Sequence, residues 1–283
     1  MKKILLPTDF SENAYNAIDY AINLFKNVEC TFYLLNTYTP VLYDTEYILY
    51  SPSQISLDEI YKINSESGLT RVEKRIRADY NNPKHTIKKI AAFNILTDEI
   101  KEQVADKNID LVVMGTKGAT GAAQILFGSN TVHVIKRSPC LLLAIPSQFK
   151  FKPVHSILFP TDFEIDYSIL PFKFLDLLSD NYQSQLNILH VIFGTGMEQD
   201  QERGKNQLIE KIDHYAHKFY TVNNKSVPQA IYDFQNENET DLLLMINNHH
   251  SFFENLLFRP VINEIGFHVK TPFLIIPANE HKH

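Results

Sequence analysis

The chain has no tryptophan, two cysteines and nine glycines among its 283 residues. So little cysteine rules out a disulfide-stapled fold. Cys30 and Cys140 both lie in apolar, strand-like runs, as expected in a reducing compartment where a buried thiol acts as a small hydrophobe. No apolar run approaches the roughly 18 residues that a membrane span needs. Only Ile4-Leu5-Leu6 separates Met1-Lys2-Lys3 from Pro7, which is too little for a signal peptide's apolar region. There is no surplus of positive charge either: the formal net charge is -6, which gives no reason to expect nucleic acid or an anionic membrane as a partner. A Gly-x4-Gly-Lys-Ser/Thr loop is missing, so this is not a P-loop enzyme. The His-x-Gly-His and Ser-Gly-Gly-x-Asp-Ser runs of adenylate-transferring proteins are missing too. The expectation is a soluble, cytoplasmic chain long enough for two domains.

What the chain does contain is a repeat. Ile4-Leu5-Leu6-Pro7-Thr8-Asp9-Phe10 returns as Ile157-Leu158-Phe159-Pro160-Thr161-Asp162-Phe163, and Asp110-Leu111-Val112-Val113-Met114 returns as Asp241-Leu242-Leu243-Leu244-Met245. Short continuous apolar runs (Ile4–Leu6, Thr31–Leu35, Leu111–Met114, Leu141–Ile145) alternate with helical spacing such as Ala14, Ala17, Ile18, Ala21, Leu24 and Phe25 behind Ser11. Strands alternating with helices imply an α/β fold of two tandem, doubly wound, parallel five-stranded sheets. The domains are read as residues 1–149 and 150–283, joined by a short link near Gln148–Pro153. Packing of the two domains against each other follows, as does pairing of the apolar closing strands Leu141–Ile145 and Phe273–Ile276.

The repeats are offset by 153 residues at Thr8 and Thr161 but by 131 at Asp110 and Asp241, so the second is 22 residues shorter between these landmarks. Part of the loss is assigned to the Tyr-rich stretch Tyr38–Tyr50 of the first repeat, read as a lid, a partner surface or cover for the sheet edge. The rest is assigned to the segment before Asp241, where Gln235–Thr240 predicts a crossover helix cut to a turn or two.

Only the first repeat keeps its glycines. Gly115-Thr116-Lys117-Gly118 and Gly128-Ser129 give the spacing Gly-x2-Gly-x9-Gly-Ser after the fourth strand, whereas the second repeat offers Ile246, His249, Phe252, Arg259 and Pro260. Glycine lets backbone approach a phosphate, and a helix opening at Gly128-Ser129 presents free N–H groups and a positive dipole end. Asp9 can accept from a ribose or hold a metal carried by phosphates. Its survival as Asp162 in the glycine-poor repeat gives Pro-Thr-Asp a structural share, in which the carboxylate caps a turn. The polar residues Asn247, Asn248, His249 and His250, with His190, read either as a metal or small-anion site or as a polar loop with a satisfied histidine. His214 and His217, three apart on what is read as a charged helix, are either a metal-binding pair or part of a solvated face; His281 and His283 are read as part of a frayed tail.

In these motifs, and in the Ser138-Pro139-Cys140 lead into the last strand, the chain resembles a tandem universal stress protein over nearly its whole length. The resemblance implies an ATP-binding fold whose nucleotide-binding members commonly dimerise, so a homodimer is expected besides the pairing of the domains within the chain. It places Pro7, Thr8 and Asp9 at the adenosine pocket and Thr37 on the adenine side. It places Met114, Gly115, Lys117, Gly118, Gly128, Ser129 and Asn130 at the phosphate and ribose loop. Lys117 stands where a histidine is often found. The implied cofactor is ATP with Mg, held by the first domain alone, in a stress-response or signalling module where the nucleotide acts as a conformational or partner switch. The alternatives are a slow ATPase and a non-binding scaffold; dedicated catalysis is not expected, because no residue near the loop is assigned to activate water.

Overall fold

In the computed structural model the described residues are 1–39, 57–116, 128–194, 196–247 and 271–277. Ten strands form one sheet. β1 (Lys2–Pro7), β2 (Cys30–Tyr38), β3 (His85–Phe93), β4 (Leu111–Gly115) and β5 (Leu141–Ile145) belong to the first half. β6 (Ser156–Pro160), β7 (Gln185–Ile192), β8 (His217–Asn223), β9 (Leu242–Asn247) and β10 (Phe273–Pro277) belong to the second. Their order is β3-β2-β1-β4-β5-β10-β9-β6-β7-β8, so each half has the same doubly wound arrangement. All pairings are parallel except β5 with β10, where Phe273 faces Ala144, Leu274 faces Leu143 and Ile275 faces Leu142. That antiparallel seam turns the second half over, and the carboxyl ends of the two sets of strands point to opposite edges of the sheet.

The helices are α1 (Glu12–Leu24), α2 (Leu57–Asp79), α3 (Leu96–Lys107), α4 (Ser129–Arg137), α5 (Lys173–Tyr182), α6 (Gln199–Ile212) and α7 (Val227–Glu237). They cover both faces, which is why the central strands are apolar without alternation. Ile4, Leu6, Phe32 and Leu34 enter one buried cluster and Leu5, Leu35, Val112 and Leu142 the other, and each cluster continues into the second half through Phe159 and Leu244 or Leu158 and Leu243. Aromatic contacts seal the seam: Tyr20 meets Phe151 edge-on at 5.3 Å between centroids and Phe25 meets Phe174 at 6.2 Å. The Tyr182 hydroxyl donates to the Leu24 carbonyl at 2.7 Å. Burial pushes the thiols of Cys30 and Cys140 up, to about 12 and about 11, so both stay protonated and unreactive near neutral pH.

The repeated aspartates have a local reason. Asp110 accepts from the backbone N–H of Lys3 at 2.8 Å, and Asp241 from those of His155 and Ser156 at 2.9 Å. Each pins the start of its half's first strand to the start of its fourth.

Two expectations are corrected here. The crossover helix before Asp241 is not reduced: α7 has 11 residues, three turns, against 12 in α3. Ser226 at its N-cap, Pro228 in its first turn and the buried Ala230, Ile231 and Phe234 set the helix well upstream of Gln235. The whole shortening instead falls between the second and third strands, where residues 39–84 are answered by 193–216, a difference of 22. Nor do His214 and His217 share a helix. α6 ends at Ile212, His214 lies 3.5 Å from Asp176 in the following turn, and His217 opens β8. Tyr43, Tyr47 and Tyr50 lie outside the described residues, as do His281 and His283.

Phe10 and Phe163 occupy the left-handed region (φ 66° and 63°), which is costly for an aromatic residue. Each packs on a helix glycine: a Cβ at Gly68 of α2 would overlap the Phe10 ring, and one at Gly204 of α6 would overlap the Phe163 carbonyl oxygen. A ring can swing aside, whereas a backbone carbonyl in a tight turn cannot. Gly204→Ala is therefore expected to cost about 3 kcal/mol or more and Gly68→Ala about 1 kcal/mol, within the range for overpacked sites. Urea unfolding of the two variants checks this, and equal losses would contradict it.

Candidate functional site

A doubly wound sheet binds ligands beyond the carboxyl ends of its strands, where the strand order reverses. In the first half that point lies between β1 and β4. The register aligns Leu5 with Val112 and Pro7 with Leu35, so the segments after Pro7, Leu35 and Met114 emerge side by side on one edge. Asp9, Thr37 and Gly115 are thereby brought to one crevice.

The wall from β1 is a tight turn. Thr8 Oγ1 accepts from the Phe10 N–H at 3.0 Å, and Asp9 Oδ1 accepts from the Ser11 N–H at 3.0 Å and the Ser11 hydroxyl at 2.6 Å. Ser11 in turn caps α1 by accepting from the Ala14 N–H at 3.2 Å. The second half builds the same turn, with Thr161 Oγ1 bonded to the Phe163 N–H at 3.2 Å and Asp162 Oδ1 to the Glu164 N–H at 3.1 Å. Both aspartates thus cap a turn. Asp9 is exposed beside this turn.

Asn36, one residue before Thr37 and absent from the sequence reading, steadies this wall: its Nδ2 donates to the Thr8 carbonyl at 2.7 Å. The equivalent in the second half is His190, whose Nδ1 donates to the Thr161 carbonyl at 2.8 Å while its ring stacks 4.6 Å from that of Phe163. His190 is 3% exposed and is a satisfied strand-end histidine. Among the described residues no group of three or more His, Cys, Asp or Glu could hold a metal. Asn248, His249 and His250 lie outside them.

The wall from β4 is held as firmly. The Thr116 N–H donates to the Ile145 carbonyl at 2.9 Å, and the Gly128 N–H donates to the Thr116 carbonyl at 2.7 Å. Thr131, a residue that position N3 of the helix could have flagged, donates its buried hydroxyl to the Gly115 carbonyl at 3.0 Å. Residues 116 and 128 are thereby clasped together at the start of α4, whatever path the chain between them takes. Lys117 and Gly118 lie outside the described residues. Met114 is buried in the core, so it frames the crevice through its backbone alone; Pro7 and Thr8 are also buried. Ser129 and Asn130 are exposed in the first turn of α4. That turn has Gly128 at its N-cap, no side-chain cap and no acidic residue, while Lys136 and Arg137 sit in the last turn. α1, by contrast, has both the Ser11 cap and Glu12. The N–H groups at the start of α4 therefore remain available to an anion. In the second half Ile246 stands at the place of Gly115.

If Asp9 and Asp162 share the turn-capping role, Asp9→Ala and Asp162→Ala should each cost about 1 kcal/mol, the worth of a typical hydrogen bond. Chemical unfolding of each variant measures this; a loss confined to one of them would show that the two turns are not equivalent.

A family profile described as the universal stress protein family matches residues 1–146. A universal stress protein of Methanocaldococcus jannaschii is 30% identical over 146 residues, 51% of this chain and 81% of that protein. A second from the same organism is 28% identical over 146 residues, covering 48% of this chain and 90% of that protein. The crystal structure of a universal stress protein from Archaeoglobus fulgidus DSM 4304 superposes with a TM-score of 0.66 at 18% identity, covering 98% of both chains, so the tandem fold is matched from end to end. With the profile spanning just over half of its length, the chain belongs to the universal stress protein family.

Proposed function

We propose that the first half binds an adenine nucleotide, ATP with Mg, in the crevice above β1 and β4, and that its occupancy acts as a conformational or partner switch in a cytoplasmic stress-response module. The observation that carries this reading is the uncapped start of α4 at the strand-order reversal, clasped to β4 by Gly128, Thr116 and Thr131. Backbone N–H groups of Ser129 and Asn130 would hold phosphate oxygens without an arginine, with Gly128 at the N-cap bonded to Thr116. Asp9 and the edge beside Thr37 would take the ribose and the base. Among the described residues no helix is long and apolar enough to cross a membrane. The second half has the scaffold turn but an isoleucine in place of the first glycine, and on this reading it holds no nucleotide.

On this reading any hydrolysis is slow and incidental. The homodimer remains part of the proposal.

Native mass spectrometry of freshly purified protein, followed by titration with Mg-ATP, tests the reading. One nucleotide per chain is expected, and Gly128→Val should weaken binding about tenfold or more by adding bulk where phosphate must approach the backbone. Chains that take up no Mg-ATP, or a Gly128→Val variant with unchanged affinity, would overturn it in favour of a scaffold.

A further inference from the structure

α4 is the helix whose start meets the crevice, and it is short. It has nine residues, Gly128 at its N-cap and no side-chain cap. Helices below about 12 residues are marginal on their own, so the aim of this one depends on what it is tied to. Near its start the tie is the Thr131 hydroxyl on the Gly115 carbonyl. At its other end the chain reads Ser138-Pro139. The Ser138 N–H closes the last turn onto the Val134 carbonyl at 2.7 Å. The next donor would come from residue 139, and proline has no N–H. The Ile135 carbonyl is therefore left without a partner from its own helix.

That carbonyl is bonded from the other half. Asn247 Nδ2 donates to it at 2.9 Å in a partly buried setting. Asn247 is the last residue of β9 and its backbone is in register with Pro277 of β10, so the donor stands on the sheet rather than on a loop. The apolar face of α4 leads the same way. Val134 and Ile135 are buried in the cluster that holds Leu243, Met245, Phe273 and Ile275 of the second half.

The repeat gives this bond its meaning. By the offset of 131 that relates Asp110 to Asp241, Asn247 stands where the first half has Thr116. Thr116 clasps the start of α4 from within the first half, and Asn247 caps the end of the same helix from across the seam. A second bond of the same form supplies the control. The Tyr182 hydroxyl donates to the carbonyl of Leu24, the last residue of α1, while the Val28 N–H four residues on goes to Phe25 instead. α1 has 13 residues and the Ser11 cap, so it depends less on such a tie.

We propose that Asn247 of the second half is a positioning residue for the nucleotide site of the first. By capping the Ile135 carbonyl it holds α4 with the Ser129 and Asn130 N–H groups aimed at the phosphates, which lowers the ordering cost of binding. The inference rests on the nucleotide-binding reading above and gives the second half a part in a site it does not contain. Asn247 lies at the opposite edge of the sheet from the crevice and touches no nucleotide. The bond is in place before the ligand arrives; it is a brace and not a relay, so the Asn247 amide has no reason to shift on binding.

The full-length wild type is compared with Asn247→Leu, which keeps the size and removes the donor, with Asn247→Ala, and with Tyr182→Phe. Amide hydrogen exchange at Val132 and Ser138, which close the first and last turns of α4, reads the helix; isothermal titration with Mg-ATP reads the site; thermal unfolding is recorded for each. Both Asn247 variants are expected to exchange faster at these amides and to bind Mg-ATP about fivefold more weakly, the worth of one hydrogen bond. Tyr182→Phe should lower the melting temperature and leave the affinity unchanged. A purely structural role for Asn247 would lower the melting temperature alone, so unchanged affinity in its variants would overturn the inference and leave nucleotide binding standing. Exchange in α4 as slow as in wild type, an equal loss of affinity in Tyr182→Phe, or failure of both Asn247 variants to fold would overturn it too. A wild type that takes up no Mg-ATP would overturn the nucleotide reading itself.

Discussion

Two β-strands pairing antiparallel, β5 with β10, organise everything else in this molecule. Each half ends on an apolar five-residue strand that would otherwise be a bare edge, and the seam uses both at once. Because the pairing is antiparallel, one sheet carries two carboxyl edges facing opposite ways. The buried clusters on either face run across the seam, so the halves are mechanically one body even though their sites are separate.

That arrangement separates scaffold from site. The motifs that recur are the ones that hold strands and turns: Asp110 and Asp241 pin strand starts, Thr8-Asp9-Phe10 and Thr161-Asp162-Phe163 close the same left-handed turn, and Gly68 and Gly204 make room for it. Among the described residues the halves differ at Gly115, answered by Ile246, and at Glu99 and Gln103, answered by Ala230 and Phe234.

The fold was legible because strands buried on both faces read as continuous apolar runs, and Ser11 marked the first helix where its cap is found. α7 is longer than expected because Gln235–Glu237 is the polar end of a helix that starts upstream at Val227, behind Ser226 and with Pro228 in its first turn. The placement of His214 and His217 failed because Tyr215 and the alternation of β8 were overlooked. Asn36 and Thr131 were missed for a different reason: each acts by bonding a carbonyl on a neighbouring strand, and such partners appear only when register is known. Gly68 and Gly204 are lone glycines in charged helices, and nothing along the chain links them to phenylalanines nearly sixty and forty residues away. Of the residues first assigned to the site, the crevice gathers Asp9, Thr37, Gly115, Gly128, Ser129 and Asn130 by register and helix start. Met114 belongs to the core.

The central claim is that one half of a symmetric scaffold holds nucleotide and the other does not. Amide chemical shifts of the isotope-labelled full chain during Mg-ATP titration address it residue by residue. The account predicts saturable shifts at Thr8, Asn36 and Thr116, with their counterparts Thr161, His190 and Asn247 unmoved. Matching shifts in both halves, or none in the first, would contradict it.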